Sequence, residues 1–146
     1  MSEQRTIAVQ RPSGAFVGAA WAALVTGLGA YLIGLWNAAM ALNEKGYYLT
    51  ILLYGSFAAV SLQKTLRDRA EGHHVTGMYM GLCWVSLIGS VLLLAIGLVN
   101  AGLTLSEKGF YAMSFVLGLF AITTVQKNVR DLAAIDTPLA RSADPA

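Results

Sequence analysis

From Ala15 to Leu42 the chain carries no charged side chain. A run of that length exceeds the roughly 20 residues an α-helix needs to cross about 30 Å of hydrocarbon. Three further apolar runs follow, near 47–62, 77–100 and 110–125. None of them alternates with the period of two that marks a half-buried strand, and an open sheet edge would leave unpaired backbone groups in lipid, so helices are expected throughout. Composition agrees: hydrophobic residues reach 56% and charged residues 12%, against roughly 25% charged in ordinary globular proteins. Folded in water, so short and apolar a chain would expose large apolar patches. The polar segment before the first run, with Arg5 and Arg11, has the look of a signal peptide. The run is far longer than the roughly 7–15 apolar residues of a cleaved signal and recurs later in the chain, so it is expected to remain as a helix.

Shifting the sequence by 63 residues aligns Gly14–Ala70 with Gly77–Ala133 without a gap, and roughly 22 of about 57 positions are identical. Each copy holds one long uncharged run, a short polar break and a second, shorter run. The expected fold is therefore an all-α membrane protein with four transmembrane helices, arranged as two tandem helical hairpins. Its segments are an N-terminal stretch 1–13, a first repeat 14–70, a loop 71–76, a second repeat 77–133 and a polar tail 134–146. The second run of each copy is short for a span. Lys64, Arg67, Lys127 and Arg130 can lengthen it by laying their aliphatic stems along the helix end while their charges reach the headgroups. Pro12, Pro138 and Pro145 lie outside the runs, so no proline kink is expected within them.

Cations set the orientation. Arg5 and Arg11 precede the first helix, Lys64, Arg67 and Arg69 follow the second, and Lys127, Arg130 and Arg141 follow the fourth, whereas each hairpin turn has one Lys beside one Glu. By the positive-inside rule both termini and the loop 71–76 are expected in the cytoplasm, with the two turns outside. Because each unit has an even number of helices, the repeats run parallel rather than inverted. The net charge of +2 is scattered, which excludes the continuous basic face that nucleic acid requires. Cys83 stands alone; it forms no internal disulfide and reads as a small buried hydrophobe.

The repeated signatures are Asn37, Leu42 and Asn43-Glu44-Lys45-Gly46-Tyr47-Tyr48 in one copy, with Asn100, Leu105 and Ser106-Glu107-Lys108-Gly109-Phe110-Tyr111 in the other. Gln63-Lys64-x-x-Arg67-Asp68 recurs likewise as Gln126-Lys127-x-x-Arg130-Asp131. This pattern resembles the YiaA/YiaB two-helix domain family of bacterial inner-membrane proteins, in its form with two fused copies. The resemblance covers nearly the whole chain and departs from the pattern at Ser106 and in the tail after Asp136. It implies a multi-pass protein of the bacterial inner membrane and brings no catalytic residue with it.

The turn charges are the most pointed candidates. At membrane depth Glu44 and Glu107 would bind a proton or cation, with Lys45 and Lys108 as counter-ions. More economically, Asn43 and Ser106 cap the following helices, and the two carboxylates sit in first turns where the helix dipole favours them. Asn37 and Asn100 are expected to hydrogen-bond across helices or to close the preceding helix, since no second intramembrane polar group lies near either in sequence. Gln63, Lys64, Arg67 and Asp68, with Gln126, Lys127, Arg130 and Asp131, are expected to anchor the cytoplasmic side. Lys and Asp four apart would pair for a few tenths of a kcal/mol.

Two small-residue patches recur. Gly14 and Gly18, like Gly77 and Gly81, lie at one end of the first helix of each copy, and Gly34 and Gly97 lie at the other end, each followed by an alanine four residues on. At 100° per residue the two patches point about 160° apart, so one is expected to pack inside the subunit and the other against a neighbouring copy. Trp21, Trp36, Trp84 and Tyr47, Tyr48, Tyr79 and Tyr111 are expected to act as interfacial anchors, and His73-His74 to lie in a solvated loop. With no phosphate loop, no nucleophile beside a base and no carboxylate pair, an enzyme and a cofactor are not expected. The expected role is a structural or interaction component of the membrane, in contact with the bilayer, homo-oligomeric, and open to an unknown membrane or cytoplasmic protein partner. The alternative is a small oligomeric transporter or channel with its pathway between subunits.

Overall fold

The computed structural model describes residues 11–142, with side chains described as far as Asp136. The expectations for Arg5, for the Arg141 side chain and for the last residues of the tail lie outside the described residues. The described residues form four helices: α1 (Gly14–Asn37), α2 (Leu42–Ala70), α3 (Gly77–Asn100) and α4 (Leu105–Ser142). There is no strand among the described residues. All four helices are long and apolar enough to cross a membrane. α4 continues beyond the end of the repeat, through Pro138, which lies outside the apolar run.

Local chemistry explains the helix ends. Ser13 Oγ accepts from the Phe16 N–H at 3.2 Å, and Thr76 Oγ1 accepts from the Tyr79 N–H at 3.4 Å, so α1 and α3 start on side-chain caps. At their far ends Asn37 Nδ2 donates to the Ile33 carbonyl at 2.8 Å and Asn100 Nδ2 to the Ile96 carbonyl at 2.7 Å. α2 ends at Ala70 and the chain turns off it at Gly72, whose φ of +82° is left-handed, and the His73 N–H returns to the Asp68 carbonyl at 2.9 Å. Glycine adopts that backbone without steric penalty, which is why it ends helices in this way.

The hairpins are not the packing units. α1 lies chiefly along α4, and α2 along α3, while α2 and α4 also meet; of the helix pairs in contact, the two within each hairpin touch least. Each copy thus packs its first helix against the second helix of the other copy. α1 and α4 come close at Gly27 and Gly118, where a Cβ added to Gly27 would stand 2.6 Å from the Gly118 backbone nitrogen. One repeat away the same crossing pairs Ser90 with Gly55, where an added Cβ would lie 3.1 Å from Ser90 Oγ. Ser90 satisfies its buried hydroxyl by donating to the Leu87 carbonyl at 2.8 Å.

An aromatic cluster sits in the buried core between the helices. Tyr31 and Tyr111 meet edge to face at 5.4 Å, Tyr48 and Tyr111 stack at 5.9 Å, and Phe115 lies 6.2 Å from Tyr31. The Tyr31 hydroxyl donates to the Tyr48 carbonyl at 2.9 Å. A smaller cluster of Leu62, Met80 and Cys83 lies nearer the loop 71–76. The outer surface is apolar: Phe57 and Phe120, one repeat apart, are 74% and 69% exposed. In water that surface would be unfavourable at about 25 cal/mol per Å², and in lipid it is at home.

Candidate functional site

The polar breaks at 38–41 and 101–104 bring the repeated charges into defined roles. α2 begins at Leu42 with Ala41 as its cap residue. Alanine has no acceptor, and Glu44 compensates by accepting the Ala41 N–H at 2.8 Å. In the second copy Thr104 completes a reciprocal box, with Glu107 Oε2 accepting from the Thr104 N–H at 2.7 Å and Thr104 Oγ1 accepting from the Glu107 N–H at 3.3 Å. Asn43 and Ser106 are therefore not the caps, because each cap lies two residues earlier, at Ala41 and Thr104; the carboxylates do sit in the first turn as expected. The lysines are not counter-ions either. Lys45 Nζ donates to the Trp36 carbonyl at 2.9 Å and Lys108 Nζ to the Val99 carbonyl at 3.3 Å, so each binds the end of the preceding helix. Gly46 and Gly109 have no atom within 4 Å of an added Cβ.

These turns wall two clefts related by the repeat, each offering about 580 Å³. The first holds Asn43, Glu44, Tyr47 and Tyr48 from α2 with Gly97 and Asn100 from α3. The second holds Ser106, Glu107, Phe110 and Tyr111 from α4 with Gly34 and Asn37 from α1. Ala39, Gly102 and Leu103 line both, so the two turns form a common wall. Each asparagine, isolated in sequence, thus shares a cavity with a carboxylate from the other copy. Tyr48 and Tyr111 are 4% and 3% exposed, packed in the buried core against each other and not exposed at the interface as expected of anchors. Tyr47 and Phe110 fill the space left by the missing side chains of Gly97 and Gly34. The Tyr47 hydroxyl donates to the Leu93 carbonyl at 2.6 Å, a bond Phe110 cannot make.

The small patches divide as expected in one respect. Gly34 and Gly97 pack inside, against aromatic rings, and Gly14, Gly18, Gly77 and Gly81 have no atom within 4 Å of an added Cβ. The backbone-to-backbone approach at Gly27 and Gly118 was not signalled by either patch.

On the loop side Lys64 meets Asp68 at 3.3 Å and Lys127 meets Asp131 at 2.9 Å, with Arg67 and Arg130 reaching the same carboxylates at 3.3 and 3.6 Å. Gln63 Oε1 and Gln126 Oε1 are buried without a partner. Asn128, 1% exposed, has neither amide atom satisfied. Its counterpart Thr65 is satisfied, donating to the Ser61 carbonyl at 2.7 Å and lying 3.7 Å from Cys83 Sγ. Sequence reasoning missed Asn128 because it breaks the repeat and sits next to the polar helix end. His73 Nδ1 lies 3.8 Å from Glu71 in the exposed loop.

Four apolar spans with an aromatic interior and polar belts at both ends define a multi-pass integral membrane protein built from a duplicated two-helix unit. The chain belongs to the YiaA/YiaB family: the family model described as "yiaA/B two helix domain" matches residues 16–68 and 79–131. It is 54% identical to "Inner membrane protein YiaA" of Escherichia coli (strain K12) over 126 residues, covering 86% of each chain. It is 30% identical to "Inner membrane protein YiaB" of the same organism over 96 residues, 66% of this chain and 81% of that one. "Uncharacterized membrane protein YubF" of Bacillus subtilis (strain 168) is 36% identical over 67 residues, 45% of this chain and 77% of the relative. No solved structure matches the chain. With four spans, these relatives place it among multi-pass inner membrane proteins.

Proposed function

We propose that this protein is a non-enzymatic structural or interaction component of the inner membrane, with the loop 71–76 and both chain ends in the cytoplasm and the two turns outside. The carrying observation is that the charges nearest the apolar interior are bound to helix ends: Glu44 and Glu107 to the starts of α2 and α4, Lys45 and Lys108 to the ends of α1 and α3. The buried polar side chains among the described residues are Thr65, Ser90, Ser114 and Asn128, all uncharged, which gives a permeating ion no charged relay within one subunit. The open faces of Gly14, Gly18, Gly77 and Gly81 suit a second copy, as small residues let helix backbones approach closely.

Ion flux in proteoliposomes tests the reading. Wild-type protein should pass no more sodium, potassium or protons than empty vesicles, with no change in Glu44→Gln/Glu107→Gln. Flux that those substitutions abolish would replace it with the inter-subunit channel. Orientation is checked by labelling single cysteines at Ala39 and His74 in a Cys83→Ala background; only the first should react with an impermeant reagent in whole spheroplasts.

A further inference from the structure

We propose that the two turn-side clefts are binding sites for primary ammonium groups, carried by a lipid headgroup or by a soluble amine. The site goes beyond the structural role and does not depend on whether the bundle is a scaffold or a conduit.

Three features carry it. First, the clefts are built of acceptors around one negative charge. In each, Oε2 of the glutamate caps a helix, and Oε1 is left to a ligand. Asn100 and Asn37 commit their Nδ2 groups to their own helices, so their carbonyl oxygens remain. The lysines that would neutralise the carboxylates are held on the Trp36 and Val99 carbonyls, and neither lines a cleft.

Second, Tyr48 and Tyr111 line the clefts while being 96–97% buried (4% and 3% exposed). Neither hydroxyl has a hydrogen-bond partner among the described residues. The Tyr48 hydroxyl sits beside Gly97 in the wall of its cleft, 3.2 Å from where a Cβ would be. Neither hydroxyl oxygen is among the fully buried unpartnered atoms, so each keeps an exposed acceptor that a donor entering the cleft can reach.

Third, the ring faces suit a cation. Tyr47 and Tyr48 in one cleft and Phe110 and Tyr111 in the other meet edge to face at 5.4 and 5.8 Å, and aromatic faces attract ammonium groups. A divalent metal would want several carboxylates, whereas each cleft has one. An ammonium group brings three donors, which match one carboxylate oxygen, one amide carbonyl and one phenol. At the ends of the spans the clefts lie at headgroup depth, where either source is at hand.

Native mass spectrometry of the delipidated full chain, titrated with dioleoyl phosphatidylethanolamine or dioleoyl phosphatidylcholine, tests this. The trimethylated headgroup keeps the positive charge and loses the three donors. Up to two phosphatidylethanolamine molecules should bind per chain, about tenfold tighter than phosphatidylcholine. Glu44→Gln and Glu107→Gln, whose amide oxygens keep the helix caps, should each remove one of the two. Tyr48→Phe and Tyr111→Phe, which delete a single atom, should weaken the same sites severalfold, guarding against loss of fold in the Gln variants. Putrescine that displaces the lipid, or binds alone with the same dependence on Glu44 and Glu107, assigns the sites to soluble amines; lipid retained against putrescine assigns them to the headgroup. Equal binding of both lipids with no response to any of the four substitutions, and no putrescine binding, overturns the proposal.

Discussion

Asn128 and Thr65 stand one repeat apart and meet the same helical environment with different success. Threonine can turn its hydroxyl back onto its own helix, as Thr65 does to Ser61, whereas the Asn128 amide has two polar atoms in the same confined space and satisfies neither. An unpartnered buried polar atom costs about 1–3 kcal/mol. Asn128→Thr is therefore expected to raise the thermal midpoint in detergent, and a lowered midpoint would show that the amide has a partner in the membrane. The capping glutamates differ in the same way. Glu107 accepts two hydrogen bonds from Thr104 and Glu44 one from Ala41. Losing a capping interaction costs about 1 kcal/mol, so Glu107→Ala should destabilise more than Glu44→Ala in the same melt. Ala41→Thr, which supplies the missing cap acceptor, should stabilise.

At the scale of the helices, glycines of α1 and α4 differ in what surrounds them. A methyl on Gly27 meets the backbone of Gly118 at 2.6 and 2.9 Å, and backbone cannot step aside. On Gly118 it meets the flexible end of Leu28 at 3.0 Å, and on Gly18 it meets nothing within 4 Å. Gly27→Ala should lower stability by about 1–3 kcal/mol, Gly118→Ala by less, and Gly18→Ala should leave it unchanged or raise it by up to about 1 kcal/mol through helix propensity. Thermal melts of the three variants in one detergent check the ranking. The same contrast marks what could be read in advance. Helix positions, the pairs Lys64–Asp68 and Lys127–Asp131, and the opposed faces of Gly18 and Gly34 follow from periodicity within one helix. The Gly27–Gly118 contact and the clefts depend on which helix meets which, and that pairing crosses the repeats. The caps, Ala41 and Thr104, lie two residues earlier than Asn43 and Ser106; Ala41 has no capping side chain to mark that position, and Glu44 from three residues on binds its N–H instead.

For the molecule as a whole, the pairing of α1 with α4 and of α2 with α3 means that neither hairpin holds its own core. The chain divided after Gly72, in the exposed loop, should assemble when residues 1–72 and 73–146 are co-expressed and copurify through a tag on one half. Either half alone should fail to give a stable, folded monomer. A well-folded single half would show that the contacts within a hairpin suffice. The common wall of Ala39, Gly102 and Leu103 depends on both copies being present, so the clefts should form in the reassembled halves and in neither half by itself.

Covalent linkage has a consequence for how such a pair of clefts can change. In a dimer of identical hairpins every substitution enters both sites together, and a change that benefits one is imposed on the other. Here one gene encodes the two separately, and they already differ: Tyr47 of the first copy is replaced by Phe110 in the second, Asn43 by Ser106, and Ala41 by Thr104. Each cleft is open to independent tuning, so one can keep its chemistry while its neighbour acquires another.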